Sequence, residues 1–566
     1  ISRRITTAAR IGSRTEVDFN KGTGQRTSSS ADSNSMLPEN FTVPGSADFV
    51  RDMLYYRSER LNGRDQTFGV TGRLLSSLYK TFISLEANVA YHNSRVKSNG
   101  SDQITYPNEQ NRDISLLRHD LAPSRDYSFD IRPSWGKYRI QLGEKQIMRA
   151  NIAYKYQQKY NYGRRTLEEM DNQAGTNAAP SVSEAGSWFL DEANSYRTTR
   201  REWNNGFEAN LGFVFPHKIS ITIYDESYYS VRRLTDFRMS TLREVARNDW
   251  KNSLNLKLDY GDSWEPGFAC GISGRFNQGL PEMLKMLDVI DTSNPLVVNL
   301  GNPNLKREKK YELSAHVDYK KATGLKPSLS FSGGWSRVDD ALAMARTYDR
   351  QTGVTTWQPA NISGRWDAFI DFNAFTFLTR DGNFVFENRL RPTFRHSTDY
   401  SSDGDIPEPV AVNSWNVNDN LILRYGISSD LNFRAKVTVD WTKMKSLNGL
   451  FLPFDYLDIN YGIGAHAKIP GEVYVDTDLM AYCRRGYGDP TMNRTDWVWN
   501  LEISKTFGRA KQFTVKAIGF DLLQQLPTVQ RTLNAQGRSE VRYNSQPAYA
   551  LLTLAYRLDI QPKKKK

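Results

Sequence analysis

The chain has 566 residues, with 75 Lys and Arg against 63 Asp and Glu, a net charge of +12, and 39% apolar residues. A mean hydropathy of -0.61 and the lack of any long unbroken apolar run exclude spanning helices, and two cysteines, Cys270 and Cys483, exclude a disulfide framework. Nucleic acid is excluded as the partner of the basic excess, because acids are interleaved with the bases and no basic helix or zinc-ligand spacing accompanies them.

A membrane barrel survives these exclusions. Only alternate strand residues of a barrel face lipid, so lumen and loop residues dilute the bulk hydropathy. The better-motivated partner of the positive charge is an anionic membrane surface.

In chain order, a first strand is expected within Ile5–Phe19 and another near Phe68–Ser77. Tight turns are then predicted near Leu78-Tyr79, Gly143-Glu144, Pro216-His217, Glu265-Pro266-Gly267, Thr323-Gly324, Asp381-Gly382, Ser428-Ser429-Asp430, Pro470-Gly471 and Gly508-Arg509. The intervals of about 40 to 70 residues between turns each hold two strands and one long loop, which gives roughly 20 strands.

Several strands alternate cleanly. From Trp250, one face carries Leu254, Leu256, Leu258 and Tyr260, and the other Asn255, Lys257 and Asp259. Trp250 and Tyr260 bracket about 23 Å of bilayer normal for a strand tilted near 45°. The same dyad places Leu431, Phe433, Ala435, Val437, Val439 and Trp441 on a lipid face, with Arg434, Lys436 and Asp440 behind them. Tyr311 to Tyr319, Leu457 to Ala465, Trp497 to Ile503 and Ala550 to Leu558 repeat the pattern.

The long connections are expected at Asn93–Arg125, Asn161–Trp203, Arg232–Asp249, Asn277–Lys309, Arg337–Gly364, His396–Ser414 and Leu526–Gln546, all polar and placed outside the cell. No repeat near 40 residues supports a propeller, and a sandwich does not require short and long connections to alternate. The fold class expected is therefore all-β: a large antiparallel transmembrane barrel.

Catalytic chemistry is not legible. The six histidines, His92, His119, His217, His316, His396 and His466, lack metal-ligand spacing, and there is no nucleophile elbow, phosphate loop or paired cysteine motif. Ser402-Asp403-Gly404-Asp405 lacks the later bidentate acid of a calcium loop and reads as a solvated tip. No catalytic residue, cofactor or metal is expected. The lumen-facing candidates are Arg424, Arg434, Lys436, Asp440, Asp476, Asp478 and Glu502, with Asn500 beside them. They either bind a substrate or plug, or only hydrate the wall and pair across strands.

The stretch Ser293 to Lys306, with Asn294, Pro295, Gly301, Asn302, Pro303, Leu305 and Lys306, resembles a motif of the outer-membrane β-barrel family of Bacteroidetes, related to TonB-dependent receptors. Arg307 stands where that motif commonly has Pro, and Glu308 is retained. The resemblance continues at Asn361-Ile362-Ser363-Gly364, Phe520-Asp521-Leu522-Leu523 and Tyr556-Arg557-Leu558.

The resemblance implies a barrel of about 22 strands, preceded by a small β-sandwich, a TonB box and a plug; none of these N-terminal parts is recognisable here. Residues 1–560 are expected to form the barrel without its first strands and plug, and 561–566 a basic tail. Within that tail, Lys563 to Lys566 resembles an anchor to lipid phosphates, a disordered tail or an artificial addition.

The implied function is energised import of an unidentified ligand by a receptor-like barrel in the cell outer membrane, with both barrel termini periplasmic. The rival is a structural barrel within a multi-protein assembly or secretion complex. Implied partners are outer-membrane lipid and lipopolysaccharide, TonB through the missing N-terminal parts, and a surface lipoprotein or other complex subunits.

Overall fold

The structure is a computed structural model that describes residues 14–32, 53–78, 81–105, 114–143, 146–171, 187–262, 265–294, 297–322, 325–349, 354–401, 408–447, 453–487, 493–508, 511–525, 529–534, 537–542 and 548–556. Strands β1 (Arg14–Asp32), β2 (Met53–Leu78), β3 (Thr81–Thr105), β4 (Ile114–Gly143) and β5 (Gln146–Asp171) form tall antiparallel hairpins. The two-residue β6 (Phe189–Leu190) adds to the far end of β5. The wall continues through β7 (Tyr196–Val214), β8 (Ile219–Arg238), β9 (Thr241–Tyr260) and β10 (Gly267–Gly279).

A compact insertion follows, with the one-turn helix α1 (Met283–Met286), β11 (Asp291–Asn294) and β12 (Val297–Asn299). The wall resumes with β13 (Glu308–Lys320) and β14 (Ser328–Asp339), then yields a hairpin of β15 (Ala341–Tyr348) and β16 (Thr355–Ile362). Next come β17 (Arg365–Phe377), β18 (Phe384–Ser401), β19 (Glu408–Ser428), β20 (Leu431–Ser446), β21 (Phe454–Ile469), β22 (Val473–Arg485), β23 (Thr495–Phe507) and β24 (Phe513–Phe520). A separate hairpin of β25 (Val529–Asn534) and β26 (Gly537–Arg542) precedes the last stave, β27 (Tyr549–Tyr556).

Twenty staves and the short β6 make one 21-stranded sheet in which each stave pairs with the next. This is the strand plan of a large antiparallel barrel. The twenty staves match the strand number expected from the turns; among the described residues no ladder joins β27 to β1.

Physical patterning explains the two faces. Val437 stands opposite Leu421 and Tyr461, and Ala435 opposite Leu423 and Ile463, so alternate residues of successive staves build one apolar surface. Ile463 is 67% exposed and Leu554 74%. No soluble fold leaves so continuous an apolar surface open to water, so that surface faces hydrocarbon. Among the described residues no helix is long and apolar enough to cross a membrane. Cys270 and Cys483 are unbonded and share the apolar face.

Each predicted tight turn joins consecutive staves at one end of the wall, although Tyr79, Glu144, Thr323, Gly324 and Arg509 themselves lie outside the described residues. Of the first expected strand, Arg14 to Phe19 lies in β1, which runs on to Asp32, while residues 5–13 lie outside the described residues. The long loops are corrected as well. Arg232–Asp249 is not a loop, because β8 and β9 pair to Arg238 and Thr241 across a two-residue turn. Met239 and Ser240 both have positive φ, 50° and 57°, as a primed hairpin turn requires.

In their described residues, Asn93–Arg125, Asn161–Trp203, Arg337–Gly364, His396–Ser414 and Leu526–Gln546 are likewise largely paired strand. The reason is that a ladder satisfies backbone groups in water as well as in lipid, while wetting on both sides removes the apolar alternation. Ser402 to Asp405 and the tail 561–566 lie outside the described residues.

Among the described residues, the buried apolar clusters lie where the insertion meets the wall. Met283, Met286, Leu287 and Leu305 pack on Leu234 of β8, each at most 2% exposed. Ala341, Ala343 and Ile362 form a second cluster beside Val338 and Tyr400. Strands β11, β12, β16 and β15 form a four-stranded sheet that ties these parts into one cap.

Candidate functional site

The motif region builds the cap. Asn302 donates its backbone N–H to the Lys285 carbonyl at 2.8 Å and its side-chain amide to the Pro359 carbonyl at 2.9 Å. Its Oδ1 accepts from the Asn304 N–H at 2.9 Å. Asn361 accepts from the Lys306 N–H at 2.7 Å and donates to the Asp340 carbonyl at 2.7 Å. Leu305 is buried, whereas Pro303 and Lys306 are exposed. Pro295 lies outside the described residues, and Asn294 ends β11. Gly301 sits against the Leu287 carbonyl so closely that any Cβ collides with that backbone oxygen. Gly301→Ala therefore releases the cap loop, seen as new protease cleavage between residues 283 and 305; an unchanged digest contradicts this packing.

Both ends of the cap loop are pinned to one carboxylate on the wall. Asp249 accepts from Arg232 at 2.8 Å and from Arg247 at 3.2 Å, and Arg307 lies 3.8 Å away. Arg232 also donates to the Pro281 carbonyl at 2.7 Å, and Arg247 to the Leu305 carbonyl at 2.6 Å. Burial pushes the Asp249 carboxyl up, but the hydrogen bonds from Arg247 and Arg232 outweigh it and hold the group below the usual carboxylate range.

Where the cap meets β4 and β5, a pocket of about 430 Å³ is lined by Arg118, Glu169, Asp191, Asn194 and Thr292. Arg118 pairs with Asp102 and, at 2.8 Å, with Glu169, and donates to the Ser293 carbonyl. Burial raises the Glu169 carboxyl above its ordinary value despite Arg118 beside it. Asn194 and Thr292 exchange two hydrogen bonds, at 3.0 and 3.1 Å. This pocket was not legible in the sequence, since its residues come from four separate segments and follow no motif.

The inward face of the wall carries two polar networks. On β18 to β24, Arg424 pairs with Glu387, and Arg434 approaches Asp478 at 3.7 Å. Asp478 also accepts from Asn500 at 3.0 Å, while Asn500 Oδ1 takes the Asp521 N–H at 3.0 Å. Asp440 accepts from Asn418 at 2.5 Å, Asp476 meets His466 at 2.8 Å and Glu502 meets Lys516 at 2.6 Å. Lys436 is exposed and forms no ion pair among the described residues.

The seven candidates thus share one face, and six are engaged in pairs. The second network was missed: Arg132 bonds Glu208 at 3.0 Å and lies 3.7 Å from Glu86, and Lys155 links Glu226 at 3.0 Å to Glu208 at 3.8 Å. These positions lie in strands whose alternation the sequence did not make legible, and nothing local marked them as partners.

No protein-family model and no curated protein matches the sequence. Solved structures do resemble it. A copper transporter, OprC, is 9% identical over 92% of this chain and 76% of its own, with a TM-score of 0.41. The ferric citrate transporter FecA, unliganded, is 10% identical over 98% and 79%, with a TM-score of 0.41. The Serratia marcescens hemophore receptor HasR, in complex with its hemophore HasA and heme, is 12% identical over 94% and 77%, with a TM-score of 0.38. At those scores the likeness is one of general shape, and the fold assignment rests on the strand ladder itself.

Proposed function

We propose that this chain is the wall of an outer-membrane receptor-like barrel that takes part in energised import of a ligand. One observation carries the reading: twenty staves present an apolar face outward and two charged networks inward, with a cap docked on the wall. A barrel of about that size encloses a lumen too wide for side chains to fill, so it serves passage or holds a plug. In this reading the short turns are periplasmic, both termini face the periplasm, and the cap and tall hairpins stand outside the cell. Residues 1–560 form one barrel domain, with the twenty staves as its wall, and 561–566 a basic tail; TonB acts through N-terminal parts not recognisable in this sequence. The inward residues Arg424, Arg434, Lys436, Asp440, Asp476, Asp478 and Glu502 line the route.

The scaffold alternative has one observation in its favour. Asn388 donates to Asp419 at 2.6 Å, and Asp419 stands opposite Val439, on the apolar outward face. A carboxylate facing hydrocarbon is costly, and a protein partner covering β18 to β20 relieves that cost.

The two readings separate when the intact protein is extracted natively and its companions identified. Energised import expects uptake that stops when the proton gradient is dissipated. Large stoichiometric partners, with no plug in the intact polypeptide, overturn it.

A further inference from the structure

Three cross-strand pairs on the outward face place arginine directly opposite arginine: Arg64 with Arg95, Arg164 with Arg197, and Arg201 with Arg233. Like charges so placed lie about 5 Å apart at Cβ and repel. Three inward pairs have the same geometry: Arg139 with Arg149, beside the short turn at Gly143, forms no ion pair among the described residues, and the other two are neutralised. Arg232 and Arg247 share Asp249, while Arg424 and Arg434 are matched by Glu387 and Asp478. The six outward arginines are all exposed, and among the described residues none forms an ion pair.

Their height is set by the aromatic band. Trp203 is the outward residue next to Arg201, and Tyr162 the one next to Arg164, each on the side nearer the short turns. The guanidiniums of Arg201 and Arg197 lie over the rings of Tyr160 and Phe237 at 5.9 and 5.3 Å. Arg164 and Arg197 also border a recess of about 400 Å³ with Tyr162, Phe237 and Glu192. Aromatic rings mark the membrane interface, so the guanidiniums on β5, β7 and β8 stand at headgroup level. On β2 and β3 the outward aromatics Phe68 and Tyr91 lie two outward positions nearer the short turn than Arg64 and Arg95.

We infer that these three pairs bind the phosphate groups of outer-leaflet lipid, each pair clamping one phosphorylated glycolipid headgroup. A guanidinium pair offers parallel N–H donors to one phosphate, and that anion removes the repulsion which the bare wall sustains. A lipid rather than a soluble ligand fits because the pairs face away from the lumen, on β2, β3, β5, β7 and β8, just beyond the aromatic band. The inference rests on the outer-membrane reading above.

The intact protein is reconstituted in phosphatidylcholine vesicles containing either diphosphorylated or dephosphorylated lipid A. Heat-modifiable gel mobility in phosphatidylcholine alone tests the barrel reading separately, and its absence overturns both readings. In folded protein, the diphosphorylated lipid is expected to be retained about tenfold over the dephosphorylated one.

The triple variant Arg64→Gln, Arg164→Gln, Arg201→Gln breaks every pair. It loses that preference, and its thermal midpoint in phosphatidylcholine rises because three repulsions are gone. Equal retention of the two lipids, unchanged preference in the variant, a lowered midpoint, or displacement by dilute inorganic phosphate each overturns the inference.

Discussion

Val437→Arg costs about 2 to 4 kcal/mol in folding titrations into bilayers, the depth-dependent penalty for a cation on the lipid face at the midplane. The position follows from its stave. Between the turn at Ser429-Asp430 and Trp441, the outward residues of β20 run Leu431, Phe433, Ala435, Val437, Val439 and Trp441. Phe433 and Trp441 bracket the apolar stretch, and Val437 lies midway between them. Its cross-strand neighbours, Leu421 and Tyr461, are equally apolar, so no carboxylate stands directly opposite to receive the guanidinium. The adjacent Lys436 already shows what the inward face tolerates: it is exposed there without an ion partner among the described residues. Lys436→Arg is therefore close to neutral in the same titration. A neutral Val437→Arg, or a costly Lys436→Arg, reverses the assignment of faces.

The part of the wall nearest the short turns was legible because lipid on one side and water on the other impose a period of two. That signal located β9, β13, β20, β21, β23 and β27, and the Gly, Pro and Asp turns fixed the stave number. It failed where water or protein covers both sides. In Arg232 to Arg238, the inward residues are Arg232, Leu234, Asp236 and Arg238, and the outward ones Arg233, Thr235 and Phe237, so neither face is uniform. Leu234 is apolar because the cap covers it, a partner that arrives about fifty residues later in sequence. The same distance hides the charge networks, as with Arg132 and Glu208, which lie 76 residues apart.

The motif that carried the family resemblance was visible, but its work was not. Gly301, Asn302 and Asn361 hold cap backbone to cap backbone, and the open inward surface is furnished by side chains that no motif marks.

Asp249→Ala frees the cap at a cost of about 3 kcal/mol, the lower end of the range for removing one partner of a buried ion pair. Asp249 is 7% exposed and the Arg232 side chain 4%, so losing the carboxylate strands a guanidinium out of water. Arg247 and Arg307, at 25% and 34% exposure, recover part of their solvation, which keeps the cost at that lower end. Hydrogen exchange over residues 281–307 accelerates in the variant, while β20 to β23 are unaffected; unchanged exchange shows that Leu234 and its apolar neighbours hold the cap alone.

The pH response of the native protein has a definite sign. The folded carboxyl titrates below its unfolded value of about 3.9, so its contribution is complete above that value and is lost as pH falls through the folded one. The cap therefore stays docked from neutrality down to about pH 4 and loosens in stronger acid, and Asp249→Ala removes that acid-dependent step. Loosening that begins near pH 6 instead points to a histidine and away from Asp249.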